Sequence, residues 1–293
     1  MYRKIEDLVQ QAEKLGVPIS EIVLRSEIEQ NSTTREAVIQ QMQHRLEVMR
    51  TSTQAGLEAP IHSRSGLTRG SAHRFWGWLE GEGQPITGPV LSRALARALS
   101  TAEVNAGMGC IVATPTAGSA GILPAVLVTL QEAFDYPDEA LISALFTAAG
   151  IGMVIATRAQ IAGAAGGCQA ETGSAAAMTA GAVVELRGGS PRQSAQAVAI
   201  ALKNMLGLVC DPVAGMVEVP CVKRNAAGVG QCFVAVDLAM AGVESVIPAD
   251  EVIDAMGRIG AHMDERLRET AMGGLAATPT GKALAQEIWS RKS

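Results

Sequence analysis

Aromatic side chains are scarce in this 293-residue chain: four Phe, three Trp and two Tyr amount to 3% of it. Rings therefore cannot fill the interior, and 48 Ala with 31 Gly predict a core of small side chains on closely approaching helices. Basic clusters are also missing. The 24 Lys and Arg stand against 29 Asp and Glu, a net charge of −5, with no basic run interleaved with aromatics, which argues against a nucleic-acid partner. Lysine is thin in the middle of the chain, where only Lys203 and Lys223 lie between Lys14 and Lys282. No GxGxxG follows a strand pattern, GxxxxGK[ST] is absent, and no two cysteines form CxxC, so dinucleotide, P-loop and compact zinc or ferredoxin sites are not indicated. The five cysteines are an odd number in apolar or Gly-rich surroundings, unlike the framework of a small secreted protein. The N-terminus lacks the apolar run of a signal peptide, so a cytoplasmic protein with reduced thiols is expected.

Mean hydropathy is +0.20, and two stretches, 104–131 and 140–157, carry no charge. The first holds Pro115, Pro124 and four glycines, which would strand backbone groups in lipid; the second is followed by Arg158 without aromatic belts. Both are expected inside the protein, with no membrane partner.

Ile5, Leu8, Val9, Ala12 and Leu15 recur at helical spacing up to Gly16, and Thr33 with Glu36 reads as a capping box before Val38, Met42, Leu46 and Met49. Between residues 51 and 88 the periodicity breaks into a polar, Gly-rich stretch, expected to be a site loop at a boundary. Residues 89–187 turn to Ala, Leu, Val and Gly without strand alternation. Ser190, Pro191 and Gln193 read as N-cap, N1 and N3 of a helix running to Gly207. Asp250 and Glu251 open a stripe through Val252, Met256, Ile259, Met263 and Leu267, and a short helix over 280–289 closes the chain. The predicted fold class is all-α, with N-terminal amphipathic helices over 1–55 packed, as one structural unit, on a main domain over 56–293.

Four Gly-rich segments, at 65–70, 115–121, 162–169 and 213–216, could present backbone N–H groups to an anion or simply allow helices to cross. Residues 115–121 are the stronger candidate, because Thr116 and Ser119 add hydroxyls beside the glycines. The cysteines divide three to two. Cys168 follows GlyGly, Cys210 precedes AspPro and Cys221 follows Pro220, so all three sit where helix propensity fails. Cys110 and Cys232 lie in apolar runs and read as small core residues. The spacings alone leave inert buried thiols open as an explanation.

Four segments together resemble the alpha chain of iron-sulfur-dependent L-serine dehydratase (L-serine ammonia-lyase). They are SerArgSerGlyLeuThr at 63–68, ProThrAlaGlySer at 115–119, GlyGlyCysGlnAlaGlu at 166–171 and the cysteine-bearing run at 202–225. The resemblance extends to GlyGlyLeuAlaAlaThrProThrGly at 273–281. It implies a catalytic domain carrying a [4Fe-4S] cluster on Cys168, Cys210 and Cys221, deamination of L-serine to pyruvate and ammonia, and a separate beta chain as partner. Three thiolates leave one of four irons open to the substrate hydroxyl. Some single-chain relatives place a cysteine at the C-terminal end, whereas this chain ends TrpSerArgLysSer.

For the substrate carboxylate the candidates are Ser63, Ser65, Gly66 and Thr68 in one loop and Thr116, Gly118 and Ser119 in another. Two residues compete as the base for the Cα proton: Lys223, which would need burial beside the cluster, and His62, an imidazole suited to neutral pH by its nature. Either could instead be structural. His44 and His262, on amphipathic helices, are expected to be solvated. Three other functions stay open: a cluster-dependent L-cysteine desulfidase, a pyridoxal-phosphate lyase using Lys203 or Lys223, and a non-catalytic helical binding module.

Overall fold

The computed structural model describes residues 2–290. Its helices are α1 (Ile5–Leu15), α2 (Ile19–Asn31), α3 (Arg35–Glu58), α4 (Ser71–Glu80), α5 (Gly88–Ala106), α6 (Ile122–Phe134), α7 (Asp138–Arg158), α8 (Gly163–Gly166), α9 (Ser174–Leu186), α10 (Pro191–Lys203), α11 (Cys221–Met240), α12 (Ala249–His262) and α13 (Pro279–Ser290). The fold is all-α, as the composition predicts, and no strand occurs among the described residues.

Helix α9 is the axis of the bundle. Residues from Ser174 to Val184 are all buried, and α9 packs against α7, α10, α11 and α6. Small residues make that possible. A Cβ on Gly181 would overlap Ile151 of α7, and one on Gly228 of α11 would overlap Ile122 of α6, so both crossings require glycine. One continuous apolar core runs from Ile5 in α1 to Met256 in α12. Helix α3 passes unbroken through residue 55, and the N-terminal helices share this core. Two thirds of each apolar window, Ala117–Phe134 and Asp138–Arg158, is buried inside the protein, as expected of interior helices.

The ends of the helices are set by polar groups, several of them distant in sequence. Ser190 and Gln193 form the expected reciprocal capping box on α10. The expected Thr33 cap is displaced by one residue: Thr34 accepts from the Ala37 N–H at 3.2 Å. Asp250, in the first turn of α12, accepts from the N–H groups of Ile5 and Glu6 at 2.9 and 3.1 Å and so caps α1 from across the fold.

Three expected boundaries change. Residues 51–88 are not one polar loop, because α3 continues to Glu58 and α4 forms at Ser71. Buried Glu103 of α5 accepts from the Ser71 and Ala72 N–H groups at 2.5 and 3.2 Å, and Ala72 joins Leu57 and Ala96 in a small separate core beside Phe75 and Trp76. Tertiary capping thus makes a helix that its own periodicity does not announce. Helix α10 ends at Lys203 rather than near Gly207, and α12 ends at His262, leaving Leu267 on a separate 3₁₀ turn, Glu265–Leu267.

Candidate functional site

The three cysteines after Gly, before Asp and after Pro are each 9% exposed or less. Cys168 follows Gly167, whose φ of +76° belongs to the left-handed region. A side chain there would also strike Met263 and the Leu208 carbonyl. The following Gln169 pins this turn: its N–H donates to Leu208 O at 2.9 Å, its amide nitrogen donates to Met256 O at 3.1 Å, and its amide oxygen accepts from Gly207 N at 2.9 Å. Cys210 is held by backbone alone, donating to Leu267 O at 2.8 Å and accepting from Glu269 N at 2.7 Å. Cys221 opens α11.

The thiols of Cys168 and Cys210 are in contact, and these two sulfurs and a Glu171 oxygen all lie within 4.8 Å of one another. Hydrogen bonding from Cys210 and the nearby Arg224 guanidinium hold the Cys168 thiol below its ordinary range, while Cys210, which keeps the shared proton, is pushed up. Burial, together with the Cys168 charge, pushes Cys221 up to about 12. Cys221 lies outside the close group formed by Cys168, Cys210 and Glu171. Arg224, one turn along α11 from Cys221, donates to Cys168 Sγ at 3.4 Å and to Val209 O at 2.8 Å, and pairs with Asp211 at 2.8 Å. It binds the segments carrying all three cysteines to one another.

Glu171 projects from a π-helical turn, Gln169–Gly173, that runs directly into α9. Such widened turns redirect a side chain out of helical register. Its carboxylate accepts from Thr116 Oγ1 at 2.7 Å, and desolvation raises its pKa. A Cβ on Gly163 would come within 2.7 Å of the Glu171 carboxylate and 2.9 Å of Cys210 Sγ; glycine keeps that side of the thiol pair open.

The loop at 115–119 is tied to the thiol centre through Asn225. The Asn225 amide donates to Gly118 O at 2.8 Å and to Cys221 O at 3.0 Å, and it accepts from Gly121 N at 2.9 Å. Ser119 is fully buried, and its hydroxyl donates to Thr114 O at 3.0 Å. The loop at 63–68 is held differently. Ser63, Ser65 and Thr68 all donate to the carboxylate of Glu218, at 2.6, 2.7 and 2.7 Å. Gly66, with φ of +78°, makes the turn between Ser65 and Thr68. A hydroxyl has a single proton, so these hydroxyls are committed within the protein and are not the free donors the sequence suggests. Glu218 lies between Cys210 and Cys221, which brings this loop to the cysteine-bearing segment.

Lys223 is exposed, so the burial that would recruit it as a base is absent from this chain. His62 is exposed too, opposite Arg69 in an isolated bridge. Lys203 is spent on Ser245, 42 residues away in sequence. His44 and His262 are exposed, as expected. Cys232 is a core residue with no exposure. Cys110 is not: it is exposed, because α5 stops at Ala106 and the apolar run from 107 leaves the bundle as an irregular surface segment. Glu171, Asn225 and Glu218 are the site residues the sequence reading passes over; the sequence-level signal for them is polar side chains set within otherwise apolar, Gly-rich cysteine segments.

Fold and centre together define an all-helical protein with buried thiols at the meeting point of Gly-rich loops. Residues 14–276 match the family model described as serine dehydratase alpha chain. The chain is 50% identical over 289 residues to the probable L-serine dehydratase alpha chain of Bacillus subtilis, covering 99% of this chain and 96% of that one. It is 43% identical over 288 residues to the L-serine dehydratase alpha chain of Peptoniphilus asaccharolyticus, covering 98% of each. Against the L-serine dehydratase of Mycobacterium bovis it is 38% identical over 285 residues, covering 94% of this chain but 61% of that longer one. The chain belongs to the serine dehydratase alpha-chain family.

Proposed function

We propose that this chain is the catalytic alpha chain of a cytoplasmic L-serine ammonia-lyase, holding a [4Fe-4S] cluster on Cys168, Cys210 and Cys221 and working with a separate beta chain. The observation that carries this reading is the buried thiol centre tied through Glu171 and Asn225 to the 115–119 loop. The donor set suits the cluster: the three cysteines are buried, and Arg224 is placed to offset the negative charge of thiolate ligation. When bound, the cluster supplies a Lewis-acidic iron for the leaving hydroxyl of serine. Support for the beta chain comes from the names of the two-chain relatives and from the extra length of the single-chain one.

The protein's own groups must orient the substrate and move one proton. With the hydroxyls of both loops engaged internally and the amides of Gly66, Leu67 and Thr68 donating within their own loop, backbone amides of the loop bearing Gly118 take the substrate carboxylate. A base removes the Cα proton, the Cβ–O bond breaks, and that proton passes to the departing hydroxide, which leaves as water; the aminoacrylate released tautomerises to an imine that water hydrolyses to pyruvate and ammonia. The two candidate bases, His62 and Lys223, are both exposed in this chain, and replacing each in turn in the reconstituted enzyme decides between them. A pyridoxal-phosphate enzyme is disfavoured by the absence of strands among the described residues and by the commitment of Lys203 to Ser245. An L-cysteine desulfidase would use the same centre, so substrate comparison decides between them.

The test is anaerobic reconstitution with iron and sulfide, with and without the candidate beta chain, followed by turnover of L-serine, L-threonine and L-cysteine. Pyruvate from L-serine at the highest kcat/KM, only with both chains present, supports the reading. Preference for L-cysteine, or full activity without iron, overturns it.

A further inference from the structure

Serine is a zwitterion, so a site that takes it needs an acceptor for an ammonium group as well as donors for a carboxylate. The acceptor must be anionic, must face the thiol centre and must not already be matched by a cation. Four carboxylates stand near the cysteines, and one of them, Glu269, is exposed to solvent. Asp211 is paired with Arg224 and also accepts from Leu275 N at 2.7 Å. Glu218 receives the protons of three hydroxyls. Glu171 has one hydroxyl donor, Thr116, with the Gly163 amide beside it, and no cation among the described residues pairs with it. A carboxylate offers about four acceptor directions, which leaves Glu171 with room for a further donor. It also lies within 4.8 Å of both contacting sulfurs, which places the carboxylate on the edge of the site.

Building on the L-serine reading, we propose that Glu171 receives the substrate's ammonium group, fixing it beside Thr116 at the edge of the cysteine centre. The same carboxylate turns the substrate carboxylate away, toward the amides of the 115–119 loop. Glu171 is thereby a specificity-determining residue: it selects 2-amino acids over 2-deoxyamino analogues that carry the same carboxylate and hydroxyl.

The experiment uses the reconstituted enzyme with its beta chain and two ligands that differ in the amine. KM is measured for L-serine, and the dissociation constant of 3-hydroxypropanoate, which is serine without its amine, is measured by calorimetry. Glu171→Gln keeps an acceptor for Thr116 but no charge. The expected result is a rise of at least about tenfold in KM for L-serine, with 3-hydroxypropanoate affinity and the visible spectrum of the ligand-free centre unchanged. An unchanged KM, or equal weakening of both ligands, overturns the proposal. So does a changed ligand-free spectrum, since Glu171 would then act on the metal centre. Glu171→Asp, which keeps the charge, serves if the Gln variant does not load iron: it is expected to retain a preference for L-serine over 3-hydroxypropanoate, and loss of that preference overturns the proposal. Absence of pyruvate from wild-type enzyme with L-serine is a separate outcome that refutes the L-serine reading itself, and this proposal with it.

Discussion

Two Gly-rich loops reach the cysteine-bearing side of this molecule, and each is held by one carboxylate, but in opposite ways. At 63–68 every hydroxyl proton goes to Glu218, which is 5% exposed. The hydroxyl oxygens in turn accept from Leu67 N and Thr68 N at 3.0 and 3.2 Å, so the arrangement is closed. At 115–119 one hydroxyl, Thr116, meets Glu171, and that carboxylate also faces two thiols. The first loop is a strut and the second is a working surface. A carboxylate saturated by hydroxyls fixes backbone, whereas one with acceptor positions to spare beside reactive groups is available to a ligand.

Removing the strut should have the largest structural effect. Glu218→Ala leaves three hydroxyls without their acceptor, with an expected loss of about 3 kcal/mol in denaturant unfolding and a smaller loss for Glu218→Gln. Equal, negligible losses in both would erase the distinction between the loops. Glu103→Ala, which uncaps α4 beside the strut loop, should cost about 2 kcal/mol and expose α4 to hydrogen exchange while leaving α9 protected. Ser119→Ala should cost about 1 kcal/mol, because its hydroxyl serves Thr114 O, and should leave KM for L-serine unchanged. A raised KM would mean that the hydroxyl turns to the substrate.

The smallest effect belongs to the periphery and gives a baseline. Hydrogen bonding from Arg35, with help from Arg25, holds Glu21 down to about 2. Its folded-state pKa is depressed, so its contribution is present above the ordinary carboxylate range and is lost as pH falls toward about 2. The arginines are largely solvated, so Glu21→Gln should remove no more than about 1 kcal/mol of that acid-dependent stability and should not alter turnover. A loss of turnover would tie the N-terminal helices to the site.

Elements specified by local chemistry are legible in the sequence. The Ser190 to Gln193 capping box and the apolar stripe of α1 involve neighbours within a few residues, and they form where periodicity and propensity put them. Helix α4 is not legible, because its first turn is completed by Glu103, about thirty residues on in the chain. The partition of the cysteines reads correctly for Cys232 and fails for Cys110, which lies beyond the end of α5 on an irregular segment that leaves its own side chain exposed. Glycines and hydroxyls mark the two loops, yet their partners Glu171 and Glu218 are 55 and about 150 residues away. Which carboxylate consumes which hydroxyl proton is decided by tertiary structure alone.

The central claim, that three of the five cysteines form the working centre, is tested most directly by iron content after anaerobic reconstitution of five single variants. Cys168→Ala, Cys210→Ala and Cys221→Ala should each lose the cluster, while Cys110→Ala and Cys232→Ala should bind about four irons per chain, as the wild type should. Full iron in any of the first three, or loss of iron in Cys110→Ala, would contradict the account.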